Sequence, residues 1–186
     1  MKRVSPGEAV ARKFPESVVF IVSSDDEGNA NVMPAGWSMF TSGDPLLMAV
    51  SVGLPRHTHT LLRNSTDFTI AFPSAAQKED IVHCGSRSGA DGDKLADSTL
   101  ELLPAEEIET PILRDAAVCF ECLRHDSFQT GDHRVFVGEV VAAHVSEEYP
   151  ERVKNLGRTW GDGPERFRTL SELLAMSPED RPEPDD

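Results

Sequence analysis

The stretch Gly131-Asp132-His133-Arg134-Val135-Phe136-Val137-Gly138-Glu139-Val140 sets the fold class. A polar turn bearing an imidazole runs straight into a β-branched, apolar strand, which holds a titratable ring at the rim of a sheet where a ligand can reach it. Working outward, residues 118–123 and 135–145 read as the strands before and after that turn. Nearer the N-terminus, residues 17–23 are β-rich and end in the turn cluster 24–29, and residues 30–33 resume an extended pattern, as in a hairpin with a Gly-containing loop. Residues 45–52 are nearly continuous in apolar side chains, the pattern of a strand covered on both faces. With residues 67–72, at least six strands are predicted.

Helices interrupt these strands without alternating with them. Residues 58–63 are a short candidate. Ser74 and Gln77 have capping-box spacing and open a helix toward His83 that stops near Gly85, and Asp93 is placed to cap a short turn through Leu95 and Ala96. With few strand–helix–strand units, a doubly wound parallel sheet is disfavoured. The expected fold is mainly β with peripheral helices, a largely antiparallel barrel.

The 186 residues suit one well-buried domain with an appendage. Residues 1–150 are read as the barrel domain and residues 151–186 as a C-terminal extension. The extension carries an amphipathic piece at residues 167–174, whose apolar side would pack on the barrel or on a partner subunit. Residues 177–186 have no apolar anchor and are predicted to be disordered.

A net charge of −14 argues against binding nucleic acid through its phosphate backbone. No apolar run is long enough to span a membrane, and Met1-Lys2-Arg3 has no hydrophobic signal core behind it. A cytoplasmic protein is expected. Three cysteines, an odd number, suit a reducing compartment. Cys119 and Cys122 have the spacing of a redox or zinc pair, but residues three apart on a strand point to opposite faces.

Several segments could carry chemistry. Residues 51–60 offer Ser51, Arg56, Thr58 and Thr60 where a strand gives way to a helix, so hydroxyls, a guanidinium and free N–H groups could cradle an anion. The alternative is a polar loop with Thr58 or Thr60 as N-cap. His57 and His59 lack a third metal ligand of fitting spacing. Residues 33–38 bring the Trp37 ring, small residues such as Ala35 that permit close backbone approach, and the Ser38 hydroxyl; Trp37 could equally anchor a core. Residues 86–94 read by default as a solvated loop ending in Lys94, and His133 by default as a surface histidine.

The motifs Asn31-Val32-Met33-Pro34-Ala35-Gly36-Trp37-Ser38, Ser86-Arg87-Ser88-Gly89-Ala90-Asp91-Gly92-Asp93-Lys94 and Gly131-Asp132-His133 occur in an order and at spacings that change this balance. Across roughly residues 14–145 the chain resembles the flavin reductase-like proteins with an FMN-binding split barrel, nearest their flavoredoxin branch. The resemblance implies that Asn31, Trp37, Thr58, Lys94 and His133 surround FMN, with Ala35, Ser38, Ser51, Arg56 and Thr60 beside them. In flavoredoxin-like relatives a C-terminal aromatic approaches the flavin, for which Phe167 is the nearest candidate. Lys94 would sit near the N1/O2 edge and favour the reduced anion, and with His133 it would form the reactive part of the site. A homodimer is implied, with NADH or NADPH as transient hydride donor and a flavin-dependent oxygenase or another protein as electron acceptor. The alternative is an FMN-binding carrier or sensor without turnover. No Gly-x-Gly-x-x-Gly follows a strand, so a Rossmann dinucleotide site is unsupported. Where relatives commonly have Asp-Pro-Pro, this chain has Asp44-Pro45-Leu46, a change expected to alter loop shape.

Overall fold

The computed structural model describes residues 1–148, 150–157 and 162–177. Its main sheet has seven strands in the order β3-β2-β6-β9-β10-β5-β4, every neighbouring pair antiparallel. These are β2 (Val19–Ser24), β3 (Ala30–Ala35), β4 (Ser38–Gly43), β5 (Leu46–Gly53), β6 (Asp67–Phe72), β9 (Val118–Thr130) and β10 (His133–Val145). The two edge strands, β3 and β4, are joined by only Gly36 and Trp37. A flat seven-stranded sheet would hold its edges roughly 29 Å apart, and two linking residues reach about 11 Å. The sheet therefore has to curl into a barrel, with a split between β3 and β4 and Trp37 at the split.

Burial follows from the curl. Residues 19–23 of β2 are all buried, because one face looks into the barrel and the other lies under an outer layer. Inside, Ile21, Met48, Val50, Phe68, Ile70 and Phe136 pack together. Outside, Phe20, Val22, Val32, Ile81, Leu113 and Cys119 form a second core. Helix α3 (Lys78–Ser86) and the short strands β7 (Leu102–Leu103) and β8 (Ile112–Leu113) belong to that layer. Cys119 lies in the outer core and Cys122 in the inner one, on opposite faces as their spacing requires, and neither is in a disulfide.

The segment between α3 and β9 is strapped to the barrel by buried polar side chains. Asp67 accepts the Thr110 N–H at 3.2 Å, Thr69 donates to the Pro111 carbonyl at 3.0 Å, and Asp80 accepts the N–H and hydroxyl of Thr99. Glu121, with no exposed surface, accepts the N–H groups of Glu106 and Glu107 at 2.8 and 2.7 Å and the His144 Nε2 proton at 2.6 Å. Burial raises the Glu121 pKa, but these donors more than offset it, and the carboxyl is held below its usual value.

Helix α2 (His57–Asn64) and the Ser74–Gln77 capping box, with both reciprocal bonds formed, match their sequence patterns. Asp93 accepts the Leu95 N–H at 2.9 Å, as expected. Three features differ. β9 continues to Thr130 rather than ending at residue 123, because its polar outer half pairs with β10 across the Gly131–Asp132 turn. β4, with side chains largely exposed, was not apparent in the sequence. Residues 167–169 form strand β12 (Phe167–Thr169) instead of the start of a helix; α4 (Leu170–Ala175) begins only after Thr169, which caps it with Glu172. β12 pairs with β11 (Val153–Asn155), which pairs with β1 (Glu16–Ser17); α1 (Pro6–Ala11) precedes them. Of the end predicted to be disordered, residues 178–186 lie outside the described residues. Among the described residues, no helix is long and apolar enough to cross a membrane.

Candidate functional site

Three adjoining cavities run along one side of the barrel, past the β3–β4 split and the N-terminus of α2. The first, of about 240 Å³, is lined by Ala35, Trp37, Ser51, Gly53 and His133, with Glu16 and Asn155 at its rim. The second, of about 270 Å³, is lined by Asn31, Arg56, Thr58, Arg87 and Lys94. They meet at Met33, Arg56 and Gly85. The third opens beyond Asn31, His57, Gly89 and Lys94.

At the first cavity, β10 begins with His133 directly opposite Gly53 of β5, and the imidazole lies against that glycine, 3.6 Å from where a Cβ would stand. The ring stacks at a tilt on Trp37, centroids 4.8 Å apart, and Trp37 is 51% exposed, a surface ring and not a core anchor. His133 Nδ1 lies 2.7 Å from Asp132 Oδ1. The Asp132 pKa is lowered by this hydrogen bond and the neighbouring imidazole. An ionised carboxylate can only accept, so the proton resides on Nδ1 and leaves Nε2 facing the cavity wall at Gly53.

The second cavity gathers cations in an acidic protein. Helix α2 starts after Arg56, with no side chain capping it and no acidic residue in its first turn, so its first N–H groups and Arg56 present positive potential to the cavity. Thr58 is not a cap. It is buried, and its hydroxyl accepts from Asn31 Nδ2 at 2.9 Å. That leaves Asn31 Oδ1 buried without a partner. Lys94 is only 7% exposed. Its Nζ donates to the Cys84 carbonyl at 3.2 Å and its carbonyl accepts from His83 Nε2 at 2.7 Å. Burial lowers its pKa below the usual lysine value. Gly89 packs closely here: a Cβ would lie 2.4 Å from Asn31 Oδ1 and 3.0 Å from His57 Cδ2, so a larger residue would displace the Asn31 amide or the loop.

The fold thus brings Asn31, Ala35, Trp37, Ser51, Arg56, Thr58, Lys94 and His133 to one continuous groove. Lys94, expected at the edge of a bound ring, shares no cavity with Trp37 or His133, because its ammonium is tied to the end of α3. Ser38 on β4 and the exposed Thr60 line none of the three cavities. Phe167 is corrected outright: it is 1% exposed in the outer core, because β12 turns it under the mini-sheet and away from the groove. His57 and His59 point apart, His59 packing on Phe136 beneath the helix. Sequence reasoning missed Arg87, whose only signal was a cation within a loop of small polar residues, and Glu16 and Asn155, which nothing local marks.

An elongated groove with an aromatic pair at one end and converging cations beside an orphaned acceptor at the other fits a planar heterocycle carrying a phosphorylated chain. Residues 11–163 match the flavin reductase like domain, and the chain belongs to that family. Membership puts it among the flavoprotein oxidoreductases. It is 33% identical over 135 residues to an uncharacterized protein of Pyrococcus abyssi, covering 73% of this chain and 77% of that one. It is 28% identical to the NADH-dependent FAD reductase of Streptomyces globisporus, over 70% of each chain. Among solved structures it is similar to the FMN-binding protein from Thermus thermophilus, with a TM-score of 0.74, 26% identity and coverage of 91% and 93%.

Proposed function

We propose that this protein is an FMN-dependent oxidoreductase, reduced by NADH or NADPH and delivering electrons to a flavin-dependent oxygenase or another acceptor. The observation that carries the reading is the polarity of the groove, with Trp37 and His133 at one end and Arg56, Arg87, Lys94 and the start of α2 at the other. FMN would supply the ring that accepts a hydride and releases electrons. The cationic end would hold the phosphate, Asn31 Oδ1 beside it would accept a neighbouring hydroxyl of the bound chain, and Trp37 would orient the ring. Asp132 holds the His133 proton on Nδ1, which fixes the imidazole beside the open face where a nicotinamide would stack. The relative named for NADH-dependent FAD reduction supports this order of electron flow.

Trp37, Met39, Phe40 and Leu46 on and beside edge strand β4, with Phe128 on the outer hairpin, stand exposed. A second copy of the chain is the proposed cover, forming a homodimer with the ring end of the groove at its interface. Three free thiols fit a cytoplasmic setting. Reconstitution with FMN followed by anaerobic mixing with NADH and with NADPH tests the reading. Rapid bleaching of the flavin band is expected. Bleaching by dithionite alone would make the protein a carrier or sensor, and no flavin absorbance after reconstitution would remove the site.

A further inference from the structure

Glu16 lines the ring-end cavity with Trp37 and His133, and among the described residues it is the only carboxylate that does so. Both ends of the chain hold it there. β1 pairs with β11 so that Glu16 stands opposite Asn155, and Lys154 Nζ of β11 donates to Ser17 Oγ at 3.0 Å. Phe14 packs so closely on Gly157 that a Cβ there would lie 2.7 Å from its ring. The inner end of the side chain fits as tightly: a Cβ on Gly36, next to Trp37, would lie 2.7 Å from Glu16 Oε1. The bare backbone of the β3–β4 bend thus admits one carboxylate oxygen to the cavity wall. The other, Oε2, pairs with Lys13 Nζ, and the Lys13 side chain is 39% exposed against 18% for Glu16 and lines none of the three cavities. The ammonium therefore takes the solvent side of the pair and the carboxylate the cavity side.

We propose that Glu16 biases the bound flavin against its reduced form, so that this carboxylate lowers the potential at which the ring gives up electrons. The proposal deepens the flavin reading and rests on the ring lying in this cavity. A flavin ring that takes up two electrons and one proton gains one negative charge, and a carboxylate on the wall repels that charge while leaving the neutral oxidised ring little affected. The cavity holds about 240 Å³, small enough that its wall lies within the roughly 8 Å screening length of physiological salt from a ring held there. Lys13 weakens the repulsion from outside without abolishing it. Potential and affinity are linked, so whatever Glu16 removes from the affinity for the reduced form relative to the oxidised one appears as a lower potential. The cations of the cradle act differently, because the phosphate they meet carries the same charge in both redox states.

Anaerobic dithionite titration of the FMN-loaded protein against an indicator dye tests the proposal, with oxidised FMN affinity read separately from flavin fluorescence. Glu16→Gln keeps the shape of the side chain and removes its charge. It should raise the affinity for reduced FMN relative to oxidised FMN about tenfold, a midpoint potential about 30 mV higher, and leave the affinity for oxidised FMN within twofold. Lys13→Met unscreens the carboxylate and should move the potential the opposite way; in the Glu16→Gln background it should move nothing. An unchanged or lower potential in Glu16→Gln, or equal weakening of both redox forms, would overturn the proposal and make Glu16 a structural contact of the rim. A Lys13→Met shift of the same size with and without Glu16 would also overturn it, since net charge alone would then account for the effect. Failure of the unmodified protein to bind FMN would instead defeat the underlying flavin reading, and the proposal with it.

Discussion

The two ends of the groove are built on opposite principles. At the ring end, Trp37 and His133 stand on the β3–β4 bend and the rim of the β9–β10 hairpin, the indole half exposed and the imidazole partly so, held by one stacking contact and one carboxylate. At the cationic end, Asn31, Thr58 and Lys94 are buried, and the segment that follows residues 86–94, part of which lines the adjoining third cavity, is strapped to the barrel through Asp67, Thr69, Asp80 and Glu121. The difference separates two tasks. A phosphate site gains from rigid donors already in place, whereas a surface that exchanges electrons with changing partners has to stay open.

The largest effect should come from cutting the strap. Glu121→Leu leaves the Glu106 and Glu107 N–H groups and the His144 ring without their buried acceptor and should cost about 3 kcal/mol, read by urea denaturation. Hydrogen exchange should accelerate across residues 104–113 and remain unchanged at the 131–133 turn. The same carboxyl gives a pH signature. Its folded pKa is depressed, so its contribution is fully present above the ordinary carboxylate range, whose reference here is 4.5, and is lost as pH falls through the folded value. Glu121→Leu should lack that acid component.

Gly89→Ala comes next, because its Cβ would collide with Asn31 Oδ1 and displace that amide or the loop from the cradle. FMN affinity should drop by about tenfold, roughly 1.4 kcal/mol, with global stability little changed. Equal affinity would mean that the loop is looser than the strapped wall requires.

Lys94→Met sharpens the contrast further, because the charge either stabilises the phosphate in both redox states or the reduced ring alone. With Lys94 in the cradle, the flavin midpoint potential should stay unchanged while both redox states bind more weakly. A fall of about 20–40 mV, equivalent to roughly 1–2 kcal/mol for a two-electron couple, would put the ammonium at the ring edge instead.

The same contrast marks what the sequence revealed. Strand β6 was legible to the residue, and β2 and β5 nearly so, because strands buried on both faces are continuous apolar runs. β4 and the outer half of β9 were not, since neither buries a regular face and both exist through pairing with distant strands. In the site, Arg56, Thr58 and His133 were legible because strand and helix boundaries mark them. Lys94 looked solvent-exposed, because its burial comes from folding back on α3, where it bonds the Cys84 carbonyl and His83, a tertiary contact invisible in residues 86–94. Phe167 misled because an aromatic in a polar tail looks available, and only the pairing of β12 with β11 shows that it is not.

The central claim is that one groove holds the ring at its open end and the phosphate at its rigid end. Arg56→Ala tests it most directly, with FMN and riboflavin titrated into the same protein, since only FMN carries the phosphate. FMN should bind about tenfold or more weakly in the variant, a loss of at least roughly 1.4 kcal/mol, while riboflavin affinity stays as it is in the unmodified protein. Equal losses for the two ligands would mean that Arg56 shapes the loop rather than meeting a phosphate, and would contradict this division of the groove.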